Sequence, residues 1–188
     1  MTGPWTSSPS DPARALAAAN AVVGGYLGSY TGVLLASTAV PVWARSRLFL
    51  GPIFVSTATA TGAAACRLTL VALGMPVGHP TRNALGRVEM GAMAAELGLS
   101  VVNERRLGPL ARGLEEGRPG KLFKAAKWAV RAGLGLQLVR RRPAEHVASA
   151  LYLAAGLLFR YAWVGAGPPS ARDDRLVAEM ARSRRHGD

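Results

Sequence analysis

The sequence predicts an all-α protein: a polytopic transmembrane helical bundle of about five spans. From Ala15 to Ala44 the chain runs about thirty residues without a charge, against the ~20 apolar residues that suffice to cross a bilayer as a helix. Similar blocks recur along the 188 residues, so that 49% of the chain is hydrophobic and the mean hydropathy is +0.17. Arginines punctuate the blocks, at Arg45 and Arg47, Arg105 and Arg106, Arg140 to Arg142 and Arg182 to Arg185, as expected for the ends of membrane spans.

Residues 1–14 read as a polar leader. It has no Lys or Arg before Arg14, whereas a cleaved signal needs a basic region ahead of a short apolar core. The first span, 15–43, is therefore expected to act as its own insertion signal. Gly24, Gly28 and Gly32 recur every four residues and form one helix face on which a second helix is expected to pack closely. The polar groups of Asn20, Tyr26, Ser29, Tyr30, Thr31, Ser37 and Thr38 are expected mostly to bond back to their own helix. Pro41 should kink or end the span, with Trp43 as an interfacial anchor.

The second span, 48–73, is interrupted only by Arg67, and its small-residue centre from Ser56 to Ala65 predicts packing on several sides. The third, 83–103, contains Glu89 and Glu96. The fourth, 122–139, contains Lys124, Lys127 and Arg131, and the fifth, 147–164, contains Arg160. Charged helices of this kind also suit a soluble bundle or a membrane surface. The short Pro- and Gly-bearing connections GMPVGHP and RRRPAEH favour spanning. Residues 104–121 form the one connection long enough to be a loop facing a partner, and 167–188 a basic tail. Weighing Lys and Arg on alternate sides places the N-terminus outside and the C-terminus in the cytoplasm of a multi-pass cell-membrane protein.

Composition also restricts the chemistry. The net charge of +12 would suit a nucleic-acid partner in a soluble protein, but its placement at span ends argues for none. The single cysteine, Cys66, excludes an intrachain disulfide and an iron–sulfur cluster held by this chain alone; it reads as a small packing residue. His79, His146 and His186 avoid mid-membrane depth, so a bis-histidine haem is not expected. No metal-ligand spacing, nucleotide loop or nucleophile set occurs, and no catalytic residue is assigned.

Ionisable residues inside a membrane are costly and point to function. Equal depth predicts two interhelical pairs, Glu96 with Arg131 and Arg67 with Glu89. Glu89, Met93, Glu96, Ser100 and Asn103 recur at three- and four-residue intervals and make one polar stripe. Such a stripe suits either a proton or ion path, with Arg67 and Arg131 as partners, or plain charge neutralisation in packing.

The element Tyr30-Thr-Gly-Val-Leu-Leu-Ala-Ser-Thr-Ala-Val-Pro-Val-Trp43, the small-residue second span ending near Gly62-Ala63-Ala64, Glu104-Arg-Arg-Leu-Gly108, and Phe159-Arg-Tyr-Ala-Trp-Val164 with Ser170-Ala-Arg-Asp173 together resemble the NrfD/polysulfide-reductase (PsrC-like) membrane-subunit family. The similarity covers 13–182. It implies a membrane anchor of a multi-subunit oxidoreductase that exchanges electrons between quinone and a separate iron–sulfur subunit, itself coupled to a catalytic subunit. Members usually have more spans, and this chain resembles their C-terminal five. The quinone-contacting residues of the family lie in its N-terminal half, so none is carried over, and quinone is implied by the resemblance alone. The alternative expectation is a small polytopic transport or scaffold protein without a redox role.

Overall fold

In a computed structural model, residues 11–76, 78–139, 142–173 and 178 are described, and they contain helices and turns but no strand. The long helices are α1 (Asp11–Ala36), α3 (Arg47–Ala72), α4 (Pro80–Leu107), α6 (Gly117–Leu138) and α7 (Arg142–Ala171), with short α2 (Pro41–Arg45) and α5 (Arg112–Glu115) between them. Two stretches, Arg47–Ala72 and Ala144–Ala171, are long and apolar enough to cross a membrane. The other long helices, of 26, 28 and 22 residues, have the required length, but α4 and α6 carry several charges and α1 carries glycines, tyrosines and Asn20 among its apolar residues.

The expected first span is two helices. Ser37 Oγ donates to the Leu34 carbonyl at 2.8 Å and Thr38 Oγ1 to the Leu35 carbonyl at 2.7 Å, the latter shared with the Thr38 N–H, so hydroxyls close the carbonyl end of α1. Pro41 then holds Val40 extended (φ −68°, ψ 121°) and starts α2, as a proline does at a first helical position. Trp43 packs on α7: its indole N–H donates to the Trp163 carbonyl at 2.9 Å, and its ring lies where Gly167 has no side chain.

The expected loop 104–121 is also corrected. It is a continuation of α4, a 3₁₀ turn (Gly108–Ala111), α5 and the start of α6. Leu107, Ala111 and Leu114 are buried there in the same cluster as Leu50, Phe54, Phe123, Phe159 and Trp163, so apolar burial pins the segment inward. Phe123 stacks on Phe159 with ring centres 5.4 Å apart, and Trp163 meets both edge-on. A second cluster of Ala60, Ala64, Met93, Val130, Tyr152 and Ala155 fills the other half of the bundle. α7 also outruns the fifth expected span at both ends, so 167–171 belongs to a helix and not to the tail. The leader's residues 1–10 and the tail's Arg182 to Arg185 lie outside the described residues.

The glycine ladder is used in part. A Cβ at Gly32 would sit 2.6 Å from the Leu50 carbonyl oxygen and one at Gly28 would sit 3.1 Å from the Ala58 Cβ, whereas Gly24 has nothing within 4 Å. α1 therefore touches α3 at its C-terminal half and stands free at Gly24, which corrects the expectation of a three-glycine face. Cys66 is exposed and free, so it packs nothing; it lies one position, about 100° round the helix, from inward-facing Arg67.

The same contrast yields a paired test. Gly32→Ala should lower thermal stability in detergent by about 1–3 kcal/mol, the usual cost of overpacking. Gly24→Ala should be neutral or stabilising by up to ~1 kcal/mol, the helix-propensity gain.

Candidate functional site

The buried face of α4 carries Arg82, Glu89, Met93, Glu96, Ser100, Asn103 and Leu107. It is mostly polar, and its spacing keeps each residue on the side facing the bundle. Near one end, four helices close on Glu89, which is fully buried. Arg67 from α3 donates through Nη1 to Glu89 Oε2 at 3.1 Å and through Nη2 to Glu145 Oε2 at 2.7 Å. Gln137 from α6 donates to Glu89 Oε2 at 2.7 Å, and the Ser149 hydroxyl of α7 lies 2.9 Å from Oε1. Glu89 thus has donors on both oxygens, the arrangement that makes a buried carboxylate tolerable.

The guanidinium of Arg67 rests on α4 where Gly86 has no side chain; a Cβ there would lie 3.2 Å from its Cζ. Arg67 Nε has no hydrogen-bond partner, and neither does the buried hydroxyl of Tyr152, three residues beyond Ser149 on α7. Arg82 is buried too. Its Nη1 donates to the Met75 carbonyl at 3.0 Å, while its Nε and Nη2 have no partner.

Further along α4 the character changes. Glu96 accepts one bond, from Ser100 Oγ at 2.9 Å. A void bounded by Thr57, Met93, Glu96, Val130 and Phe159 has no room for a water molecule. Beyond it, Asn103 Nδ2 donates to Ser46 Oγ at 3.0 Å, and Lys127 binds Glu104 at 2.6 Å beneath the ring of Phe123.

The structure therefore brings Arg67 and Glu89 together and keeps Glu96 and Arg131 apart. The expected Glu96–Arg131 pair is corrected: Arg131 is exposed, with its guanidinium 5.8 Å from the ring centre of Trp128. Depth along a helix does not fix the direction a residue faces. α6 buries Phe123, Ala126, Val130 and Gly133, and Arg131 falls just past that stripe. Sequence reasoning missed Glu145, Gln137 and Ser149. Glu145 and Ser149 are four apart at the start of α7, a helical spacing that crosses from what read as a loop into the expected fifth span; Gln137 is a lone amide in an apolar run.

Of the histidines, His79 caps α4 by accepting from the Thr81 N–H at 3.3 Å, His146 lies in the first turns of α7, and His186 is outside the described residues. Among the described residues no three His, Cys, Asp or Glu side chains gather to hold a metal ion. A cavity of about 530 Å³ opens beside the Arg67 network, lined by Asn83, Arg87, Met90, Gln137 and Glu145 with Arg67 and Gly86. Comparison with known proteins gives no match: no family model, no curated protein and no solved structure matches the chain.

Breaking the network from one side should cost more than removing it. Arg67→Met should destabilise by about 3–5 kcal/mol by leaving Glu89 uncompensated, and adding Glu89→Leu should restore much of that loss. Arg131→Gln should change stability by less than ~0.5 kcal/mol. Denaturation of the purified variants in detergent reads all three.

Proposed function

We propose that the chain is an integral membrane subunit of a quinone-linked oxidoreductase complex, with α1, α3, α4, α6 and α7 as its five spans. The observation that carries this reading is the row of buried polar side chains along α4, with Arg67, Glu89 and Glu145 tied across the helices at one end. Ionisable groups at such depth are retained where charge or protons move. The resemblance of Tyr30 to Trp43 and Phe159 to Val164 to the NrfD/polysulfide-reductase family supplies the redox context. In this role the chain anchors an iron–sulfur subunit, which is coupled to a catalytic subunit, and holds no cofactor of its own. The N-terminus is outside and the C-terminus cytoplasmic.

The chemistry assigned to the row is proton movement during quinone turnover. Glu89, with Ser149 and Gln137, forms one station, and Glu96 with Ser100 the next. Between them stand Met93 and the waterless void, so transfer there requires a side-chain rotation, with the unpartnered Tyr152 hydroxyl available nearby. Arg131, exposed beside Trp128, takes no part.

That same dry gap favours a second reading, a polytopic scaffold or transport protein in which the polar row only fixes helix packing. Glu96→Gln separates the two. In the assembled complex it should lower quinol-coupled turnover at least tenfold while the iron–sulfur subunit still co-purifies. Full turnover with full assembly would remove the proton role and leave the scaffold.

A further inference from the structure

The cavity beside Arg67 offers an unusual set of free groups. Its place follows from the elements that form it: Asn83, Gly86, Arg87 and Met90 belong to the N-terminal part of α4, Gln137 to the last turn of α6 and Glu145 to the first turn of α7. If these helices span, the cavity lies at the level where hydrocarbon meets headgroups. Its 530 Å³ falls within the roughly 300–1,000 Å³ of small-ligand pockets.

Part of its donor set is already used. One amide N–H of Gln137 goes to Glu89, one of Asn83 goes to the Gly78 carbonyl at 3.1 Å, and the two terminal nitrogens of Arg67 are bound to the two carboxylates, while Arg67 Nε has no partner. The amide oxygens of Gln137 and Asn83 and one oxygen of Glu145 remain as acceptors, with Glu145 reachable at 25% side-chain exposure. Arg87, exposed at the rim, has no ion pair among the described residues. Among the described residues, α3 and α4 bring three arginines (67, 82 and 87) to this end of the bundle, beside the two carboxylates Glu89 and Glu145.

A simple anion would pair with Arg87 and the remaining N–H donors but would leave the free carboxylate oxygen of Glu145 and two amide oxygens facing it; a simple cation would leave Arg87 unused. We propose that the cavity binds the headgroup of an aminophospholipid. The phosphate pairs with Arg87, and the primary ammonium directs its three N–H donors to Glu145, Gln137 and Asn83. A quaternary ammonium has no N–H donor and cannot make these bonds. The inference rests on the membrane-spanning reading given above.

The test uses the full chain in detergent, with bound lipid counted by native mass spectrometry after titration with phosphatidylethanolamine, phosphatidylcholine or phosphatidylglycerol, and with free phosphoethanolamine and inorganic phosphate as soluble arms. Phosphatidylethanolamine should bind at least tenfold more tightly than the choline and glycerol lipids. Arg87→Gln should weaken all phospholipids, and Glu145→Gln should erase the preference for ethanolamine. Equal binding of the three lipids, or binding of inorganic phosphate as tight as phosphoethanolamine, overturns the proposal. Carbonate washing of membranes separates the two layers. A chain that stays in the membrane but shows no preference fails this inference alone; a chain released by carbonate fails the spanning reading and removes a lipid as the ligand.

Discussion

The arrangement of the bundle depends on one buried carboxylate. Glu89 sits where α3, α4, α6 and α7 meet and takes Arg67, Gln137 and Ser149 from the other three. Two apolar faces can slide past each other at little cost, but a charge removed from solvent must be met by particular atoms in a particular direction. The network therefore fixes the rotation of four helices that small residues alone would leave poorly determined. Gly86 and Gly133 belong to the same constraint, the first leaving space for the Arg67 guanidinium and the second for the Tyr152 ring.

The opposite half of the bundle is held differently. Phe54, Phe123, Phe159 and Trp163 supply bulk and edge-on ring contacts, and α2 is tied there by the indole of Trp43 on the Trp163 carbonyl and by Arg106 Nη1 on the Arg45 carbonyl. One half is thus specified by charge and hydrogen bonding and the other by shape. The polar row on α4 runs from the first into the second, and Met93 with its neighbouring void marks the boundary.

Much of this was legible in the sequence. Helical character followed from the apolar blocks, the α4 stripe from its three- and four-residue spacing, and the meeting of Arg67 and Glu89 from depth. The failures share one cause: one-dimensional spacing gives height along a helix but not its rotation against a neighbour. Arg131 has the right height for Glu96 and the wrong direction. The first span read as one helix because the break at Ser37 to Val40, made by hydroxyls returning to the backbone, was hidden in an uncharged run, and with it the turn of Trp43 onto α7. Glu145 was lost among the arginines and the proline of an apparent loop, although its partner Ser149 is one turn away.

That break between α1 and α2 has a consequence for packing. Beyond the turn, α2 is clamped to α7 through Trp43, whereas α1 is buried against the bundle only at Gly32 and bears on α3 with its C-terminal half. The turn at residues 37–40 therefore lets one uncharged run serve two partners, with α1 laid along α3 and α2 held on α7.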